Sequence, residues 1–261
     1  MCAQALDGKV VVVVGGTSGL GRSGVEACLE AGARVIAIGR SPEKVEAVDG
    51  LGAEVFGQVG DAAEPGCAEA AIDEAESRFG GFDGLYHVAG GSGRSVGDGP
   101  LHELTDEGID YTLRLNLSSV IYSNRAAVRR LLKSCRRGSV LNMSSVLAFA
   151  PAGEHFATHA YAAAKAGIIG LTRSAASKYA ARDIRFNAIA PALVETPMSE
   201  RAQESPEILE YMRRRQPLDG GRIGQPRDTD GAVVYFLSDQ SAFVTGQVVS
   251  IDGGWEVSDG Q

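Results

Sequence analysis

The chain holds 261 residues, with 25 Lys+Arg against 33 Asp+Glu for a formal charge of −8, and 44% of its residues are hydrophobic against 22% charged. This length suits one α/β unit of about 250 residues, and this composition argues against disorder. The acidic balance argues against a nucleic-acid partner, which needs a basic face, and no apolar run approaches the roughly 18 residues of a membrane-spanning helix. Residues 1–9 lack the basic stretch and apolar core of an export signal, so a cytoplasmic protein with no membrane partner is expected.

The first apolar run, Val10–Val14, is followed by Gly15-Gly16-Thr17-Ser18-Gly19-Leu20-Gly21 and an amphipathic stretch over residues 20–31, which Gly32 ends. Strand, glycine turn and helix together point to a dinucleotide. Gly15 permits the sharp turn, Gly19 lets backbone approach a pyrophosphate, Gly21 lets the helix pack on the sheet, and the helix's first N–H groups face the phosphates. After the second run, residues 35–38, comes Gly39-Arg40-Ser41. A carboxylate there would bind the ribose of NAD; Arg40 instead suits a 2′-phosphate, which favours NADP(H) over NAD(H). The alternative is a solvated arginine ahead of a helix capped by Ser41, with Pro42 at its first position.

Further apolar runs at 85–89, 140–143 and 186–189 alternate with helical patterns at 68–78, 107–132 and 162–179. The runs are short, partly β-branched and not alternating, as strands covered on both faces are. The expectation is one domain over residues 1–261: a doubly wound, Rossmann-like parallel sheet with helices on both faces. Residues 196–222 break the rhythm with Pro197, Pro206 and Pro217 and read as an insertion covering a site at the strands' carboxyl ends, or else as a solvated loop.

Tyr161-Ala-Ala-Ala-Lys165 puts a phenol and an ammonium on one helix face, where the cation favours the phenolate and brings the phenol toward working pH. At this point the chain resembles the short-chain dehydrogenase/reductase family over nearly its whole length. The resemblance implies Tyr161 as general acid/base, Lys165 lowering its pKa and holding the nicotinamide ribose, Ser145 binding the substrate oxygen, and Asn116 retaining a water that leads to the lysine. It also implies a dinucleotide held by Gly15, Thr17, Ser18, Gly19, Leu20, Gly21 and Arg40, and by Asp61 with Ala62 at the adenine. Val88, Ala89 and Gly90 continue that set, and Pro191, Val194 and Thr196 embrace the nicotinamide beside Tyr161 and Lys165. The closing Asp252-Gly253-Gly254-Trp255 resembles the family's final strand.

The same resemblance implies reversible reduction of a ketone, or oxidation of a secondary alcohol, by a homodimer or homotetramer joined through residues 107–132 and 162–179. The rivals are a dinucleotide-binding regulator without turnover and an enoyl reductase; the latter is disfavoured because those enzymes space tyrosine and lysine further apart. Val14, His87 and Ala192 depart from the family's usual threonine, asparagine and glycine. The interval from Ser145 to Tyr161 is longer than usual, so residues 146–160 carry an insertion beside the substrate.

His155 and His159, with Glu154 adjacent, lack a metal-site pattern, and no metal is expected; either histidine is a candidate for the substrate pocket. His102 reads as a surface residue. Arg129-Arg130, Arg136-Arg137 and Arg213–Arg215 read as solvated faces, the last also as a patch that would steer a phosphorylated carrier. Cys2, Cys28, Cys67 and Cys135 lack zinc-site spacing and read as free thiols. Substrate identity rests on residues 91–101, 146–160 and 196–222, which carry no pattern that names it.

Overall fold

Valine-rich segments without polar alternation belong where helices cover both faces of a sheet, and that is where they lie. The computed structural model describes residues 4–259. Its strands are β1 (Val10–Val14), β2 (Arg34–Gly39), β3 (Val55–Val59), β4 (Gly84–His87), β5 (Gly138–Met143), β6 (Ile184–Pro191) and β7 (Val248–Ile251). They form one parallel sheet in the order β3-β2-β1-β4-β5-β6-β7, which reverses direction between β1 and β4. The helices are α1 (Gly19–Glu30), α2 (Pro42–Asp49), α3 (Cys67–Phe79), α4 (Asp106–Leu113), α5 (Ser119–Lys133), α6 (His159–Tyr179), α7 (Glu200–Gln203), α8 (Pro206–Arg215) and α9 (Asp230–Leu237). Val11, Val13, Val35 and Ala37 pack with α1 and α9, while Val10, Val12, Val14, Ile36 and Ile38 pack with α3 and α5 on the opposite face.

Three expectations need correction. Asp252-Gly253-Gly254-Trp255 is a turn after β7 rather than the last strand: the Asp252 carboxylate accepts from Gly254 N and Glu256 N, both at 2.9 Å, and Gly253 and Gly254 have φ of 60° and 97°. The helix expected over 107–132 is three pieces, because a π-helical turn, Arg114–Ser118, inserts between α4 and α5. β4 ends at His87, since Val88 N and Ala89 N both donate to Val14 O and lead the chain off the sheet.

Residues 196–222 are no solvated loop. They hold α7 and α8, whose Ala202, Ile208 and Met212 are buried against Val146, Ala152 and Trp255. The basic clusters near α5 are also accounted for, with Arg130 paired to Asp73 and Glu76, Arg136 to Asp83 and Arg137 to Asp239. Cys28 is buried, Cys67 half-buried and Cys135 exposed, all as free thiols; Cys2 lies outside the described residues. Among the described residues no helix is long and apolar enough to cross a membrane.

His87, in place of an asparagine, is fully buried between two serines of α5, with Nδ1 2.7 Å from Ser123 Oγ and Nε2 3.4 Å from Ser119 Oγ. Burial, reinforced by the Lys165 ammonium, pushes its pKa down to about 3 from an ordinary 6.5. The unfolded chain therefore binds a proton that the fold refuses: stability is complete above about pH 6.5 and drains away as pH falls toward 3. His87→Asn is expected to remove this acid sensitivity, so that by pH 5 denaturant melts show wild type losing roughly 2 kcal/mol more than the variant relative to pH 7.

Candidate active site

The reversal between β1 and β4 opens a groove at the strands' carboxyl ends, the place where a doubly wound sheet takes ligands. Gly15 leaves β1 at φ 91°, and a Cβ on it would sit 2.6 Å from Ala89 N. A Cβ on Gly21 would meet Gly15 O at 1.9 Å, so this glycine lets α1 close on the turn itself. Gly24 shares the close approach of helix to sheet, since a Cβ there would be 2.8 Å from the Tyr86 ring. Gly19, at φ 51°, faces Thr196, 3.2 Å from where a Cβ would stand.

The resulting cradle has a volume of about 260 Å³ and is lined by Gly15, Thr17 to Gly21, Arg40, Asp61, Ala62, Val88 to Gly90 and Thr196. Its backbone-rich floor fits an extended ligand with a pyrophosphate at the start of α1. Ser41 and Lys44 stand beside Arg40 at the same edge. Sequence alone did not single out Lys44, although its place in the first turn of a helix capped by Ser41 was the available signal; the Ser41 hydroxyl does accept from Lys44 N.

A smaller chamber of about 110 Å³ continues the groove and contains Ser145, Tyr161, Lys165, Pro191, Val194 and Thr196. Tyr161 lies in the first turn of α6, and Lys165, one turn on, places Nζ 5.4 Å from the centre of its ring. Ser145 and Tyr161 line this chamber together, and the Ser145 side chain acts on the phenol. Lys165 is buried, its Nζ donating to Met143 O at 2.9 Å, while Ser144 Oγ donates to Lys165 O at 2.9 Å. Asn116 sits in the π-helical turn with both amide hydrogens engaged, to Gly91 O at 2.9 Å and Thr112 O at 3.0 Å, and its Oδ1 accepting from Gly91 N. A Cβ on Gly90 would press on Asn116 Oδ1 at 2.8 Å and lie 3.4 Å from Lys165 Nζ, so glycine there lets these groups share one small space.

The expected lowering of the phenol is not what this environment produces. Burial pushes Tyr161 up to about 12, with the Ser145 hydrogen bond pulling the other way, and burial alone brings Lys165 down to about 8. The ammonium is directed at the Met143 carbonyl, and loss of water outweighs it.

Beyond Tyr161 opens a third cavity of about 220 Å³, walled by Val146, Leu147, Phe156, Leu193, Met198 and Trp255 with Ser92, Arg94, Thr158 and Arg201. The long loop over 146–160 does border it, through Val146, Leu147, Phe156 and Thr158. Neither His155 nor His159 lines it: His155 packs edge-on against Tyr211 at 4.8 Å, and His159 Nδ1 is 3.0 Å from Gly99 O. The two histidines are thus turned apart, and His155 instead groups with Glu154 and Glu207 within 4.8 Å on the surface. Arg213 pairs with Glu210, and Arg215 lies over Trp255, outside the cavity.

Asp98, from the irregular segment after β4, was not legible in sequence as a site residue. It is 2% exposed, and its carboxylate accepts from Ala160 N at 3.1 Å and Tyr161 N at 3.0 Å. It thereby satisfies amides in the first turn of α6 that Thr158, the residue at the cap position, leaves without a side-chain partner.

Chambers of this kind, a phosphate cradle opening onto paired hydroxyls and a buried lysine, are those of a dinucleotide-dependent oxidoreductase. A family model described as Enoyl-(Acyl carrier protein) reductase matches residues 14–256. The 3-oxoacyl-[acyl-carrier-protein] reductase of Thermotoga maritima is 34% identical, covering 95% of this chain and 98% of that protein. The L-rhamnose 1-dehydrogenase (NAD(P)(+)) of Sphingomonas sp. is 31% identical, covering 98% and 99%. The crystal structure of levodione reductase matches with a TM-score of 0.86 at 31% identity, over 96% of this chain and 98% of that one. The chain belongs to the short-chain dehydrogenase/reductase family, whose members bind NAD(P) and transfer hydride between it and an alcohol or ketone.

Replacing Asp98 with Ala is expected to lower stability by about 1–2 kcal/mol, the range for a lost helix cap, and to reduce kcat more than it raises KM for the dinucleotide. Asn at the same position should restore part of both. Denaturant melts alongside steady-state kinetics read the two effects separately.

Proposed function

We propose that this protein reduces a ketone, or in reverse oxidises a secondary alcohol, with Tyr161 as the proton donor and acceptor and NADP(H) as the preferred dinucleotide. The observation that carries the reading is the junction: Tyr161 and Ser145 stand where the chamber continuing the glycine-lined groove meets the apolar cavity. When bound, the dinucleotide supplies or receives the hydride.

Everything else is done by the chain. Ser145 and Tyr161 line the same cavity, and both hydroxyls donate to a carbonyl oxygen as negative charge grows there. A phenol held near 12 is fully protonated at neutral pH, which is the donor form that reduction requires. Lys165, with one hydrogen bond to Met143 O, has ammonium hydrogens to offer ribose hydroxyls in the same chamber. Asn116 braces Gly91 and keeps that chamber's wall in place. Thr196 and Pro197, standing over Gly19, start the 196–222 insertion as a lid that reaches from the groove to the apolar cavity. The four-residue Tyr161 to Lys165 spacing favours carbonyl over enoyl reduction.

Tyr161→Phe is expected to lower kcat by roughly 10² to 10⁴ while the dinucleotide still raises Tm as in wild type; full turnover of ketones by this variant would refute the assignment. Arg40→Ala and Lys44→Ala should each raise KM for NADPH far more than KM for NADH, measured at the reduced nicotinamide absorbance, because only the former carries the 2′-phosphate they would meet. Equal effects on the two would make both residues bystanders.

A further inference from the structure

We propose that the substrate is an oxo acid, or the matching hydroxy acid, whose carboxylate is held between the guanidiniums of Arg94 and Arg201; this rests on the reading of the apolar cavity as the carbonyl site. Arg94 comes from the turn after β4 and Arg201 from α7, so two segments distant in sequence deliver like charges to one cavity. Among the described residues neither takes part in an ion pair. Arg201 is oriented by donating to the His155 carbonyl at 3.1 Å. The acid that acts on Arg94, Asp98, has its oxygens turned to the amides of Ala160 and Tyr161.

Partial burial, then repulsion from Arg201, pull the Arg94 guanidinium below its usual range. Both side chains are exposed at the cavity, and the wall they share carries no acidic side chain. Two planar forks match the two oxygens of a carboxylate, and a cavity of about 220 Å³, otherwise largely apolar, suits a small organic acid. In reduction the ketone carbon gains a hydride from the reduced dinucleotide and its oxygen gains the Tyr161 proton. The products are a hydroxy acid and oxidised dinucleotide, with the carboxylate unchanged.

The test uses the full chain with NADPH and NADH on two matched sets: oxohexanoates with the ketone at successive carbons, and their methyl esters. The N-acetylcysteamine thioester of 3-oxobutanoate serves as a neutral thioester. At least one acid should exceed its ester in kcat/KM, and Arg94→Gln and Arg201→Gln should each cut turnover of that acid by roughly tenfold, as loss of a charge-assisted hydrogen bond does, and by more than they cut turnover of its ester. Esters or the thioester turned over as well as every acid would overturn the proposal while leaving the oxidoreductase reading intact. If no ketone is reduced at all, the reading of the site is what fails. The carboxylate pocket is then decided by binding to the NADPH complex: octanoate raising Tm more than octanamide, and losing that advantage in the double variant, supports it, and equal shifts overturn it.

Discussion

A nearly dry ammonium is the constraint around which this structure is arranged. Lys165 is 3% exposed, and taking a cation out of water costs several kcal/mol unless other groups compensate. Met143, at the end of β5, supplies a carbonyl; Ser144, the next residue, ties down the backbone of Lys165 itself. Gly90 has no side chain because one would press on Asn116 and approach the ammonium. His87, one strand over, stays neutral in part because of the same charge. One cation thus draws on a carbonyl of β5, a glycine after β4 and a neutral histidine within β4, and Tyr161 shares its turn.

The second organising interaction is the carboxylate of Asp98 on the first amides of α6. It links the irregular segment after β4, which also carries Arg94, to the helix that carries Tyr161 and Lys165. The segment that shapes the cavity's charged side is thereby tied to the backbone of Tyr161. The 196–222 segment attaches at the other side, through Thr196 over Gly19 and through the buried contacts of Ile208 and Met212.

Local features were legible in the sequence, and long-range ones were not. The glycine turn and the Tyr161–Lys165 pair are set by strand–turn–helix order and by a four-residue helical spacing, and each residue assigned to the dinucleotide lines the groove or the chamber beyond it. β7 was displaced onto the turn after it, because an edge strand has one neighbour and a weak apolar signature. The π-helical turn escaped because one inserted residue hardly disturbs a 3.6-residue period over so long a helix. The phenol's upward shift was missed because spacing reports which groups are adjacent and is silent on how much water surrounds them. Asp98, Arg94 and Arg201 lie in irregular or short elements, and their roles exist only once distant segments meet.

Trp255 shows what the order of the chain implies for how the molecule comes into being. Its indole N–H donates to Ala150 O at 2.9 Å, its ring meets Phe156 and Tyr211 edge-on, and it forms part of the cavity wall. Every residue of the glycine-lined groove precedes it. The side chains of the groove are therefore all synthesised before that part of the wall, and a change confined to the last residues alters the apolar cavity without replacing any residue of the groove.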